Sequence, residues 1–129
     1  MWQAVIAISA GASAGALLRW WLSLRLNAVV AALPLGTLLA NLLGGYLVGM
    51  AIAYFAAAPG LSPQWRLFII TGFCGGLTTF STFSGEVVLL FQQGRTMWAF
   101  GTMAAHLAGS ILMTFAGIAT VTWLKSRTG

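Results

Sequence analysis

Hydroxyl groups, phenyl rings and glycines crowd into one stretch, Thr71 to Glu86, which reads TGFCGGLTTFSTFSGE. Thr78, Thr79, Ser81, Thr82 and Ser84 each offer an O–H donor, and a phenyl ring presents a positive edge. Phe80 and Phe83 are three residues apart and share a face if the segment is helical, so rings and hydroxyls together suit a small hard anion. The same residues also serve plain packing, because glycine and small hydroxyl residues are common where membrane helices meet. No charge falls between Arg66 and Glu86, and apolar runs flank the stretch. It therefore belongs inside a bilayer, where every unpaired backbone amide or carbonyl is costly. Gly72, Gly75 and Gly76 weaken a helix here, and the hydroxyls offer partners to the backbone groups set free. The expectation is a helix broken near the midplane, over about residues 75–79. Carbonyls would be exposed at the end of its first half and amides at the start of its second.

The elements that must position this stretch follow from composition. Of 129 residues, 60% are hydrophobic and 5% charged, against about 25% charged in soluble proteins. This is an integral, multi-pass membrane protein of one domain, all-α, with four transmembrane helices expected at about 2–24, 34–57, 65–92 and 97–124, each long enough for a hydrocarbon core of about 30 Å. Ala12-Ser13-Ala14 imitates a signal-peptidase site, but no basic region precedes it and the apolar run continues to Leu24. Arg19 lies inside the far end of the first helix beside Trp20 and Trp21. It either snorkels to the interface, attracts anions to a vestibule, or pairs with Glu86, which should lie at similar depth on the same side. Thr37, Asn41 and Gly45 form one stripe on the second helix, and the Asn41 amide needs a partner within the membrane. Thr102, His106, Ser110 and Thr114 form a second stripe on the fourth. Serine and threonine can also bond their own helix carbonyls, and His106 reads as a packed or mouth-lining side chain rather than a proton relay. Gly11 with Gly15, and Gly45 with Gly49, are close-packing motifs expected to serve subunit contact.

One acid, one histidine and one cysteine, Cys74, cannot assemble a carboxylate pair, a nucleophilic triad or a metal cluster, so an enzyme is excluded. The net charge of +5 is scattered and carries no nucleic-acid patch. Arg66, Lys125 and Arg127 fall on the side of the termini, against Arg19, Arg25 and Arg95 near the other. So little positive-inside bias predicts insertion in both orientations and an antiparallel, dual-topology homodimer, with two broken helices meeting at the two-fold axis. Facing carbonyl ends would repel, and a buried monovalent cation would relieve that repulsion; ordered water or the hydroxyls of Thr78 and Thr79 could satisfy the same carbonyls.

The string GGLTTFSTFSGE, preceded by GTLLANLLGGYLVG at Gly36 to Gly49, resembles the signature of the Fluc (CrcB) family of fluoride channels, and the likeness extends over nearly the whole chain, including the early Arg19. The resemblance implies passive, selective export of fluoride across a prokaryotic inner membrane, lowering cytoplasmic fluoride. The implied pathway is lined by Asn41, Phe80, Ser81, Thr82, Phe83, Ser110 and Thr114, in two equivalent copies per dimer. It also implies that the central cation is a structural sodium ion held by the backbone carbonyls of Gly75 and Thr78. Two other classes compete. A small four-helix proton-coupled multidrug-type antiporter matches in size, but should carry a glutamate in its first helix. An interaction subunit without transport leaves the hydroxyl stripe of the fourth helix unexplained.

Overall fold

A computed structural model describes residues 1–129. Apolar runs too long for a soluble core form four helical segments long and apolar enough to cross a membrane. Helix α1 is Trp2–Leu26 and α2 is Leu35–Ala56, the latter entered from Pro34. The third segment, Pro63–Gln92, is divided. Its first half, α3, covers residues 63–77: it opens as an α-helix at Pro63–Arg66, widens into π-type turns over Leu67–Cys74, and closes as an α-helix at Gly75–Leu77. Its second half, α4, is Phe80–Gln92. Helix α5 is Thr96–Thr128, so the fourth helix runs beyond residue 124 into the basic tail. Gly94, at φ 73°, makes the turn between α4 and α5, where a side chain would strain the backbone.

Only 21 of the 129 residues are buried, and Leu17, Ile111, Leu112 and Phe115 stand more than half exposed, as lipid-facing side chains should. Helix α1 packs on α3 and α2, α2 lies mainly along α5, and α4 lies on α5. The interruption thus lets the third segment change neighbours, its first half leaning on α1 and its second on α5.

Glycine has a different job from the one expected. Gly75 keeps helical angles (φ −63°, ψ −38°) and the chain leaves the helix at the two threonines that follow. Gly72 and Gly76 instead meet α1 at close quarters. A Cβ on Gly72 would come within 2.8 Å of the Ile8 carbonyl oxygen, and one on Gly76 would overlap that of Ala12. Gly11 and Gly15 face α3 in return, against the carbonyls of Phe68 and Phe73. On the other pair of helices, Gly45 and Gly49 receive the backbone of Ser110 and Thr114, and Gly117 receives that of Tyr46. The expectation that these faces join subunits is corrected: they bind the chain to itself. Small residues every four positions let two helix backbones approach, whichever chain they belong to.

Five of the six basic residues lie over aromatic rings: Arg25 over Trp21, Arg66 over Phe55, Arg95 over Trp98, Lys125 over Tyr54 and Arg127 over Trp123. They anchor the ends of the segments. Arg19 is the exception.

Candidate functional site at the broken helix

Thr78 (φ −83°, ψ 153°) and Thr79 (φ −149°, ψ 114°) are both extended, and each finishes one half-helix. The Thr78 amide and hydroxyl both donate to the Cys74 carbonyl, at 3.0 and 2.8 Å, closing α3. The Thr79 hydroxyl accepts from the Thr82 amide at 3.2 Å, which makes it the N-cap of α4. It also donates to the Thr82 hydroxyl at 3.1 Å and lies 3.3 Å from that of Ser81.

Asn41 spans the gap from α2. Its Oδ1 accepts from the Thr79 amide at 2.8 Å, and its Nδ2 donates to the Thr79 carbonyl at 3.2 Å, as a neighbouring strand would. The same Nδ2 donates to His106 Nδ1 at 3.0 Å. Because Oδ1 is fixed as the acceptor of a backbone N–H, His106 Nδ1 must itself accept, and the imidazole carries its proton on Nε2. That Nε2 is buried without a partner. The ring stacks on Phe83, centroids 4.5 Å apart and planes at 29°. Phe83 in turn meets Phe80 edge to face at 5.4 Å. Phe83 is 5% exposed and Phe80 71%, so one ring is set in the protein and the other projects from it.

Between α2, the break and α5 lies a groove of about 340 Å³ lined by Asn41, Gly44, Gly45, Val48, Thr78, Thr79, Phe80, Phe83, His106, Leu107, Ser110 and Ile111. Of the expected pathway residues, Asn41, Phe80, Phe83 and Ser110 are brought together here. Ser81 and Thr82 lie outside the groove, on an exposed face of α4. Thr114 also lies off it, and its hydroxyl donates at 3.0 Å to both the Gly45 and the Ser110 carbonyls, leaving that proton committed to backbone. Gly75 is exposed, and neither its carbonyl nor that of Thr78 accepts a hydrogen bond across the break.

The expected ion pair between Arg19 and Glu86 is corrected. Arg19 Nε donates to the Gly76 carbonyl at 3.2 Å, placing a cation at the C-terminal end of α3, where the helix dipole favours it. Glu86 approaches the Thr37 side chain instead, and its Oε2 is buried without a partner. Two residues beyond the expected pathway set now belong to the site: Thr79 and His106. The N-cap rule, applied after a presumed break, marks Thr79. The four-residue spacing of His106 with Ser110 on α5 marks the other.

A family described as CrcB-like protein, Camphor Resistance (CrcB), matches residues 6–118. Among the similar proteins, that of Pseudomonas aeruginosa (strain UCBPP-PA14) is 61% identical over 127 residues, covering 98% of this chain and all of the relative. That of Nitrosomonas europaea is 60% identical over 126 residues, 98% of this chain and 99% of the relative. That of Chromobacterium violaceum is 62% identical over 125 residues, 97% of this chain and 99% of the relative. Each of these is named a fluoride-specific ion channel FluC.

Proposed function

The chain belongs to the CrcB-like family, and from that membership we propose that it is a fluoride-selective channel, an integral membrane protein that lets fluoride leave the cell passively and so lowers its cytoplasmic level. It is not an enzyme. The observation that carries this reading is identity of about three residues in five, over nearly the whole chain, with bacterial proteins named as fluoride channels. The groove supports it chemically. Two phenyl rings meet edge to face beside the Ser110 hydroxyl, and a broken helix supplies amides at the start of α4. A fluoride ion gives up tight hydration only for several donors at once, and these are of the right kind. The antiporter reading has no comparable support: α1 contains no acid, and Glu86 lies in the second half of the third segment. Ion efflux from liposomes holding the purified protein, followed with fluoride and chloride electrodes, tests it. Rapid fluoride release without chloride release is expected.

The working unit is an antiparallel homodimer with two equivalent pathways, each lined by Asn41, Phe80, Ser81, Thr82, Phe83, Ser110 and Thr114. Supporting this, Ser81, Thr82 and Ser84 present hydroxyls on an exposed face of a membrane helix, and such a face calls for a polar partner rather than lipid tails. A sodium ion on the two-fold axis, held by the Gly75 and Thr78 carbonyls of both copies, fits the donor set, because those oxygens have no other partner across the break. Two carbonyls from each copy make a small cage. The ion would neutralise facing helix ends without crossing the membrane.

A further inference from the structure

A second groove, larger than the one at the break, shares no residue with it. Its volume is about 480 Å³, within the range of about 300–1,000 Å³ in which proteins hold small ligands. All ten residues that line it are hydrophobic. Helix α2 forms one wall, from Tyr54 down to Leu47, and α3 the other, from Trp65 down to Phe73, while α5 contributes Val121. The seven residues from Tyr54 to Leu47 descend about 10 Å, against the roughly 15 Å that half of a hydrocarbon core measures. Tyr54 and Trp65 are half exposed where α2 ends and α3 begins. The groove therefore opens at the membrane surface on the side of the termini and runs inward at the depth of lipid chains.

Two cations stand at its mouth. The Arg66 guanidinium lies over the Phe55 ring at 5.9 Å and the Lys125 ammonium over the Tyr54 ring at 5.8 Å. Both rings line the groove, and they meet edge to face at 5.9 Å. A ring face holds a cation without consuming its N–H donors. Nor does a carboxylate consume them, because the only acid of the chain is Glu86, on α4, which runs toward the opposite membrane face. An apolar slot most of a leaflet's chain region deep, with two unneutralised cations over it, complements a lipid that carries net negative charge. A zwitterionic lipid would bring its own ammonium against Arg66 and Lys125.

We propose that this groove binds one anionic phospholipid, with an acyl chain between α2 and α3 and the phosphate held between Arg66 and Lys125. The lipid joins α3 to α5 at an end where these two helices scarcely touch each other, so its binding stabilises the fold. The inference is independent of which ion the channel conducts.

The test titrates the purified protein in detergent micelles with phosphatidylglycerol or with phosphatidylcholine. Melting temperature is followed, and retained lipid is counted by native mass spectrometry. Phosphatidylglycerol should raise the melting temperature and stay bound at one per copy, whereas phosphatidylcholine should do neither. The concentration of phosphatidylglycerol needed should rise about fivefold in R66Q and in K125Q, and about 25-fold in the double variant, from the worth of one basic residue at an anionic surface. M50W fills the groove and should abolish retention. R95Q removes a cation that rests on Trp98, away from both grooves, and should bind as the wild type does. Equal retention of the two lipids would overturn the proposal, since the groove would then take any lipid. So would an R95Q loss equal to that of R66Q, which would reduce the effect to net charge, or wild-type binding in the double variant. Stabilisation by inorganic phosphate with no lipid retained would replace the lipid site with a free-anion site and so sink it too. Should M50W or the double variant fail to fold, the two lipids on the wild type and R66Q against R95Q still decide.

Discussion

Asn41 replaces, with one side chain, the backbone bonds that the third segment gives up at Thr79, and it sets the tautomer of His106 in the same act. Replacing it with alanine would leave the Thr79 amide, the Thr79 carbonyl and His106 Nδ1 unpaired at once. The expected loss is about 3 kcal/mol or more, at about 1–3 kcal/mol for each orphaned group. It should be read as a lowered melting temperature together with lost efflux; an unchanged melt would mean that the break is held by something else. Phe80 and Phe83 separate more cleanly. F80I preserves bulk at an exposed position, so it should slow fluoride efflux without moving the melting temperature. F83I also loses the stack on His106 and should do both, costing about 1 kcal/mol in stability. Unchanged efflux in both would remove the ring edges from the mechanism. Asn41 was legible as an amide within the membrane in need of a partner because its type is so out of place on an apolar helix. Its partners were not, and the same holds for Arg19 and Glu86. Depth along a helix follows from residue count, but which side chains meet across helices depends on lateral packing, and that placed Arg19 on Gly76 and Glu86 beside Thr37.

At the level of elements, the broken third segment divides its contacts between α1 and α5, and glycine decides how closely the first half can lie. Gly76→Ala would drive a methyl group into the Ala12 carbonyl of α1, and Gly11→Ala would do the same at Phe68. Neither obstacle is a flexible side-chain end, so each substitution should cost about 1–3 kcal/mol as overpacking. Gly85→Ala and Gly101→Ala meet nothing within 4 Å and should leave the melt of the isolated protein near wild type. Equal stability across all four would mean that α1 and α3 are not locked as described. The four segments and the break could be read from hydropathy and from the cluster of glycine and hydroxyl residues. The direction of the glycine faces could not, because small residues at four-residue spacing look the same whether the facing backbone belongs to the same chain or to another. Nor do the π-type turns of Leu67–Cys74 leave a mark, since their residues would suit an ordinary membrane helix equally well. Glycine misled in one further respect. The chain breaks at Thr78 and Thr79, whose amides and hydroxyls find new partners, while Gly75 stays helical beside them.

The whole molecule is defined by what it leaves exposed in one copy: hydroxyls on α4, the projecting Phe80, and Gly75 at the end of α3. With both termini on one side and three basic residues near each face, the chain should insert in both orientations. Impermeant thiol reagents should then label a cysteine introduced at either terminus in about half of the molecules in whole cells, and labelling confined to a single side would contradict the antiparallel dimer. The same arrangement carries the sodium proposal. An α-helix ends in partial negative charge equivalent to roughly half an electron. Arg19 covers the Gly76 carbonyl within each copy, but no side chain or amide reaches across to those of Gly75 and Thr78. Bringing two such ends together at a two-fold axis would set like partial charges against each other in a region without water, so the dimer should need a cation there. Its removal is therefore expected to act on assembly as well as on transport. Prolonged dialysis against a large organic cation should abolish fluoride efflux and lower the melting temperature of the dimer, and restoring sodium should recover both. Full efflux from protein verified to be sodium-free would sink the proposal, whereas recovery by potassium equal to that by sodium would keep the cation and discard the preference for the smaller ion.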